Sequence, residues 1–176
     1  MKIYEYSFDK TSKGAPPFEE TIDYRLVVPC VNRDDTLLYI FRSYRFGDFL
    51  YITDIFPKMY ENDERCFKRF VSREGFSINM KKLSVTCLAI FVEHFIRNDE
   101  RRCMVISGSY EDNEVPEGAS RKLRLYNYFF RPLLEQLNLR SVDMFEENAF
   151  ILTSKNSTLS NEDIRQEYLT FKSTRK

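Results

Sequence analysis

Tyr126 is the residue of this chain whose type and position best suit proton transfer. It lies in the run from Ala119 to Leu137, where Leu123, Tyr126, Phe130, Leu133 and Leu137 recur in steps of three and four. That spacing is one face of a helix. A phenol with a pKa of about 10 can protonate a thiolate or an amine when it is held at the reacting atom. The same register also makes Tyr126 a packed member of an apolar face, and the residues alone leave both roles open. Arg121, Lys122, Arg124 and Arg131 give this helix a basic side. Arg121 and Arg124, three apart, share one face near the helix start. With the Ser107-Gly108-Ser109 turn they are equipped to hold a phosphate or carboxylate. The plainer reading is a solvated face paired with Glu111, Asp112 or Glu114 in the preceding loop.

A second basic group, Lys68, Arg69, Arg73, Lys81 and Lys82, brackets a break at residues 72–77. It can attract the phosphates of a nucleotide or coenzyme, or be a solvated charge cluster. His94 is the only histidine and sits at the border of a helical apolar stripe, with no Cys, Ser or Asp at a motif spacing. Such a histidine is expected at the rim of a core rather than in catalysis. Cys30, Cys66, Cys87 and Cys103 form no C-x-x-C pair, so a zinc site is not expected. Four free thiols are expected, with Cys87 and Cys103 acting as small buried hydrophobes. No phosphate-binding P-loop, dinucleotide fingerprint, nucleophile elbow or H-E-x-x-H pair is present.

The elements that must position these groups follow from patterning. Met1 to Asp9 reads as a strand and Thr11 to Pro17 as a loop. Thr21 to Val31, Leu37 to Tyr44 and Phe49 to Phe56 read as three more strands joined by short polar turns, and Leu50, Ile52 and Asp54 share a face of the last. The first third is thus an antiparallel meander. Glu61 to Phe70 reads as a short helix. From Asn79 the period becomes helical, with Leu83, Cys87, Ile90, Phe91, His94 and Phe95 as one stripe and Ser77 or Asn79 as its cap. Cys103 to Ile106 is a strand, Ala119 to Leu137 a helix, and Ala149 to Leu152 a closing strand. Ser160-Asn161-Glu162-Asp163 starts a C-terminal amphipathic helix or docking segment.

Composition sets the bounds. The 176 residues, 43% hydrophobic and 15% aromatic, suffice for one domain with a real core and exclude a disordered chain. Lys+Arg and Asp+Glu both number 27, which argues against a general nucleic-acid sleeve. No apolar run approaches the roughly 20 residues a membrane span needs. The N-terminal residues lack a secretory leader pattern, so a cytoplasmic location is expected. Tyr4, Tyr6 and Tyr24 are expected to leave an exposed apolar patch, favouring a homodimer or a protein partner.

Four strands, helix, strand, helix, strand is an order similar to that of the GCN5-related N-acetyltransferases, over roughly residues 20 to 155. In that family a turn with an arginine and glycines precedes the central helix and holds the pyrophosphate of acetyl-CoA. Arg73-Glu74-Gly75-Phe76-Ser77-Ile78 occupies that place, with Phe76 and Ile78 where glycine or alanine is usual. Ser109 and Ala119 ahead of Leu125-Tyr126 resemble the family's serine, alanine and Leu-Tyr pair, whose tyrosine can protonate the leaving thiolate. Ser109, Arg121, Arg124 and Tyr126 are also similar to the tail of small bacterial proteins in which a G-S-T-x-x-R-x-R-L-Y run follows a strand, without an established activity. The resemblance implies a single α+β domain with a twisted mixed sheet and two main helices. Within it lie antiparallel strands over 1–56, a helix-strand-helix-strand unit over 57–155 and a C-terminal helix or tail over 156–176. It implies an acyl-CoA-dependent N-acyltransferase using acetyl-CoA or another acyl-CoA and no metal. Backbone donors would come from Gly75, Ser77 and Ile78, charge from Arg73, a further contact from Ser109, and the acid would be Tyr126. The alternative is a non-catalytic interaction module that keeps the fold and has lost the cofactor loop. Neither reading involves nucleic acid or a membrane.

Overall fold

The computed structural model describes residues 2–29, 35–63, 79–108 and 117–175. Four consecutive strands form the meander: β1 (Glu5–Lys13), β2 (Glu20–Pro29), β3 (Thr36–Phe46) and β4 (Leu50–Pro57). Tyr24, Leu26 and Val28 alternate along β2 and point to one face, where they are buried. β1 lies four residues later than the sequence pattern suggests, and Thr11 to Lys13 are strand rather than loop. As an edge strand β1 buries little, so its polar second half carries no alternation to read.

After a 3-10 turn at Lys58–Tyr60 come α1 (Met80–Phe91), extended by a π-helical turn over Val92–Ile96, then β5 (Cys103–Ser107), α2 (Arg121–Leu134), β6 (Leu139–Met144), β7 (Ala149–Ser154) and α3 (Asn161–Ser173). The short helix expected over Glu61 to Phe70 falls largely on 64–70, outside the described residues. Asn79 is the cap of α1: its side chain accepts from Lys82 N at 2.9 Å. Ser160 and Asp163 form a capping box on α3, the strongest local start signal in the chain.

The strands make one seven-stranded sheet in the order β1-β2-β3-β4-β5-β7-β6, with β4 and β5 parallel and all other neighbours antiparallel. The seventh strand, β6, is absent from the sequence reading. Its apolar residues are divided between the two faces, Leu139 toward one core and Val142 and Met144 toward the other, so no period of two marks it. Among the described residues the α-helices are α1, α2 and α3, the last of which is the segment expected as a C-terminal amphipathic helix or docking segment. α1 and α2 cover one face, where Leu83, Leu88, Phe91, Leu123 and Phe130 pack on Tyr51, Met104 and Phe150. α3 covers the other, with Ile164, Tyr168 and Phe171 on Leu50, Ile52, Val105 and Ile151. The sheet is therefore the middle of three layers.

The tyrosine patch expected near the N-terminus does not form. Tyr4 and Tyr24 are buried, and the Tyr24 ring lies 5.0 Å from the His94 ring and 6.3 Å from that of Phe95. Tyr4 N donates to Thr86 Oγ1 at 2.9 Å, and the Tyr4 hydroxyl accepts from Asn79 N at 3.2 Å. An amphipathic ring buried against a helix with its hydroxyl satisfied leaves no patch. His94 thus sits at the rim of the core, between Tyr6 and Tyr24. Cys87 and Cys103 are buried free thiols.

Candidate active site

The site begins with a mismatch in strand pairing. β4 pairs with β5 only at Leu50↔Cys103, Tyr51↔Met104 and Ile52↔Val105. Beyond that point β4 stays paired with β3 as far as Pro57, and β5 stays paired with β7 as far as Ser107. Each strand keeps its outer neighbour, so the two inner edges diverge. Thr53 Oγ1 donates to Val105 O at 2.8 Å, closing the crotch of the opening and taking up a carbonyl the ladder has abandoned. Burial follows the pairing: Leu50 to Ile52 are buried, whereas Thr53, Asp54 and Ile55 are only partly so.

The far wall is fixed by a polar knot at the end of β5. Gly108 N donates to Asn148 O at 2.9 Å. Asn148, left-handed at φ 51°, presents Oδ1 to Ser120 N at 2.8 Å. Ser120 Oγ in turn caps α2 by accepting from Leu123 N at 3.2 Å. A Cβ on Gly108 would overlap Ser120 Oγ and stand 2.9 Å from Leu123 Cβ. The glycine thus lets β5 run directly under the N-terminus of α2.

Two cavities meet at the opening. The first, about 250 Å³, lies under α1 and α2 and is lined by Leu83, Ser84, Cys87, Met104, Tyr126 and Phe130 besides Thr53 to Ile55 and Ile106 to Gly108. The second, about 420 Å³, opens on the α3 face between Ile52, Val105, Glu146, Glu147, Tyr168 and Phe171. Ser107, Gly108 and Arg175 line both. Arg175, which follows α3, therefore reaches a cavity otherwise built on the opposite face, so the two cavities approach each other at this point.

Tyr126 and Asp54 are among the titratable groups that line this gap. Tyr126 is held on the α2 side by Phe130, its ring centroid 6.5 Å away. Burial raises the pKa of its phenol, and the negative potentials of Cys87 and Asp54 raise it further. Asp54 lies on the α3 face of β4, two residues beyond Ile52. Desolvation raises its pKa, opposed by the positive charges of Arg175, Lys122 and Arg42. Lys122 and Arg175 come from opposite faces of the sheet.

Asp54 also ends a row of charges. Lys10, Asp23, Arg42 and Asp54 are successive cross-strand partners. The buried Asp23 takes Arg42 bidentately, both contacts at 2.7 Å, and Glu61 accepts from the same guanidinium at 2.6 Å. Arg42 is thus turned toward Asp23 and Glu61 rather than toward Asp54.

Of the sequence candidates, Tyr126 lies in the site. Arg73, Gly75, Ser77, Ile78 and Ser109 lie outside the described residues, as do Lys68, Arg69 and the acidic loop at 111–114. Arg124 donates to Ala119 O at 2.6 Å and Arg131 stands 3.9 Å from Asp143, so both have partners on the protein surface. Sequence reasoning placed Asp54 on the right face of β4 without assigning it chemistry. It placed Ser107 in an anion-holding turn and had no signal for Thr53 or Arg175. Among the described residues no group of three His, Cys, Asp or Glu is placed to hold a metal, and no helix is long and apolar enough to cross a membrane. Compared with known proteins, the chain matches no family model, no curated protein and no solved structure.

Proposed function

We propose that this protein transfers an acyl group from an acyl-CoA to an amine, at the opening between β4 and β5. The observation that carries the reading is the divergence of two adjacent parallel strands after Ile52 and Val105, with a proton donor on one side and a proton acceptor on the other. The strand order, with β4 parallel to β5 and a helix following each, supports the resemblance to the N-acyltransferases. In this reading the extended arm of the donor lies in the cavity under α1 and α2, where exposed backbone edges of β4 and β5 can pair with its amides. Its diphosphate lies near the start of α1.

The chemistry asks for two proton movements. An amine arriving as ammonium gives one proton to the Asp54 carboxylate and becomes nucleophilic. Its nitrogen forms a bond to the thioester carbonyl carbon, and the carbon–sulfur bond breaks. Tyr126 gives its proton to the departing thiolate and recovers one from the acylated nitrogen. Asp54 then returns the first proton to solvent. A raised pKa suits both groups, since it keeps Tyr126 protonated and makes Asp54 a stronger base than an exposed carboxylate. In a thermal melt, acetyl-CoA is expected to raise the Tm and free thiol to appear when an amine is added. No shift at millimolar acetyl-CoA would overturn the assignment.

A second reading, a non-catalytic interaction module, is favoured by one observation: Leu125 and Tyr128 stand 43% and 74% exposed on the outer side of α2. It predicts self-association on a sizing column that Tyr128→Glu abolishes.

A further inference from the structure

The acceptor side of the gap carries its own chemical information. The donor arm, placed by the start of α1, uses the α1/α2 face, so an amine must come through the cavity on the α3 face. That cavity, about 420 Å³, is the size of a small-molecule site and too small for a folded partner. Its cations come from the end of α3. Lys172 is already paired with Glu147 at 3.5 Å. Arg175 differs: among the described residues its guanidinium makes no ion pair and instead stands over two rings, 5.4 Å from the centroid of Phe171 and 5.9 Å from that of Phe18. Stacking on aromatic faces orients the plane of an arginine while leaving its N–H edge available for a planar anion. Arg175 lines both cavities, and Asp54 lines the one under α1 and α2, so a group held by Arg175 at the α3-face cavity can extend through the opening toward the residue that takes the proton.

We propose that the acceptor is an amine that also carries a carboxylate, an amino acid or a close relative, and that Arg175 binds the carboxylate while the amino group turns toward Asp54. This rests on the acyltransferase reading above. In an α-amino acid the two groups are separated by a single carbon, which matches an arginine and a carboxylate converging on one opening. Glu146, exposed on the same rim, keeps the outer mouth from being purely cationic and disfavours anions that carry no ammonium.

The test uses matched pairs that differ only in the carboxylate: glycine and methylamine, phenylalanine and phenethylamine, lysine and cadaverine, histidine and histamine. Each is titrated calorimetrically into the full chain saturated with coenzyme A, and acylated product is followed by mass with acetyl-CoA. At least one amino acid is expected to bind roughly tenfold or more tighter than its decarboxylated partner, the worth of a charge-assisted contact. Arg175→Gln is expected to erase that difference, and Arg175→Lys to restore part of it, with coenzyme A affinity unchanged in both. Equal binding of the paired amines, or no binding of any amino acid, would overturn the proposal while leaving the transferase reading intact. Loss of coenzyme A affinity in Arg175→Gln would assign the arginine to the donor and overturn it as well. Failure of coenzyme A to bind the wild-type chain would overturn both.

Discussion

Asp54 and Tyr126 face the same gap in the sheet from opposite sides: Asp54 projects from β4 on the face covered by α3, and Tyr126 reaches in from α2 on the other. The charge of the first contributes to holding the proton on the second. In an acyl transfer the amine enters and the thiolate leaves on different sides of the carbonyl carbon, so this separation places the base with one and the acid with the other.

Tyr126→Phe removes the phenolic proton and keeps the ring that packs near Phe130. The acid role predicts a fall in kcat of about 100-fold or more, the usual range for a positioned proton donor, with Tm nearly unchanged. Steady-state kinetics with saturating acetyl-CoA measure it. A loss of only a few-fold would make Tyr126 a packing residue.

Asp54 should impose the acidic limb of the rate profile. Its base form is the deprotonated one, so kcat/KM is expected to rise with pH through a pKa above the ordinary carboxylate value of about 4. Asp54→Asn should be slow and flat over that range. The stability effect has the opposite sense. A carboxyl whose folded pKa is raised stabilises the fold fully only below its unfolded pKa, and that contribution disappears as pH rises through the folded value. Asp54→Asn should therefore melt higher than wild type at pH 7, and the gain should vanish near pH 3. Parallel melts at the two pH values check the sign.

The charge row makes a separable prediction. Asp23 and Glu61 take the hydrogen bonds of Arg42, which acts on Asp54 only through its charge. Asp23→Asn releases one side of the guanidinium. Arg42 can then turn to Asp54, its other cross-strand neighbour, and lower the pKa of that carboxyl. The acidic limb of the rate profile should move to lower pH. Stability should also fall by about 2–3 kcal/mol, somewhat less than the ~3–5 typical of a fully buried broken pair, because Lys10 and Glu61 are solvent-accessible. Urea unfolding gives the second number, and the pH profile of acyl transfer by the variant gives the first.

Gly108→Ala tests the knot under α2. The added methyl meets Ser120 Oγ and Leu123 Cβ, and overpacking of this kind costs about 1–3 kcal/mol. Ser120→Ala loses the cap and costs about 1 kcal/mol. Since both remove support from one node, the double variant should cost less than the two singles added together. A denaturant series on the three proteins measures the coupling.

The parts of this fold that were legible in the sequence are those set by local chemistry. The turns after β2 and β3 marked the meander, Asn79 and the Ser160–Asp163 box marked the starts of α1 and α3, and the three-four spacing through Leu123, Tyr126 and Phe130 placed α2. The polar end of β1 and the divided apolar residues of β6 were not legible, because edge strands bury too little on one face to force alternation. Tyr126 was found through its helical register. Asp54 was placed on the right face of β4 but not at a gap, because what exposes it is how far β4 and β5 remain paired. That length is decided by the neighbours β3 and β7, six elements apart in the chain, and no local pattern records it. Arg175 had no signal, since it matters only through where α3 docks.

The central claim is that the gap beyond Ile52 and Val105 receives the arm of coenzyme A. A crystal structure of the chain soaked with coenzyme A tests it most directly. The account predicts an extended chain between β4 and β5, its amides paired with backbone groups of residues 53–55 and 106–108, and its thiol within hydrogen-bond reach of Tyr126. Coenzyme A bound elsewhere on the surface, or a gap filled by protein side chains with the thiol remote from Tyr126, would contradict it.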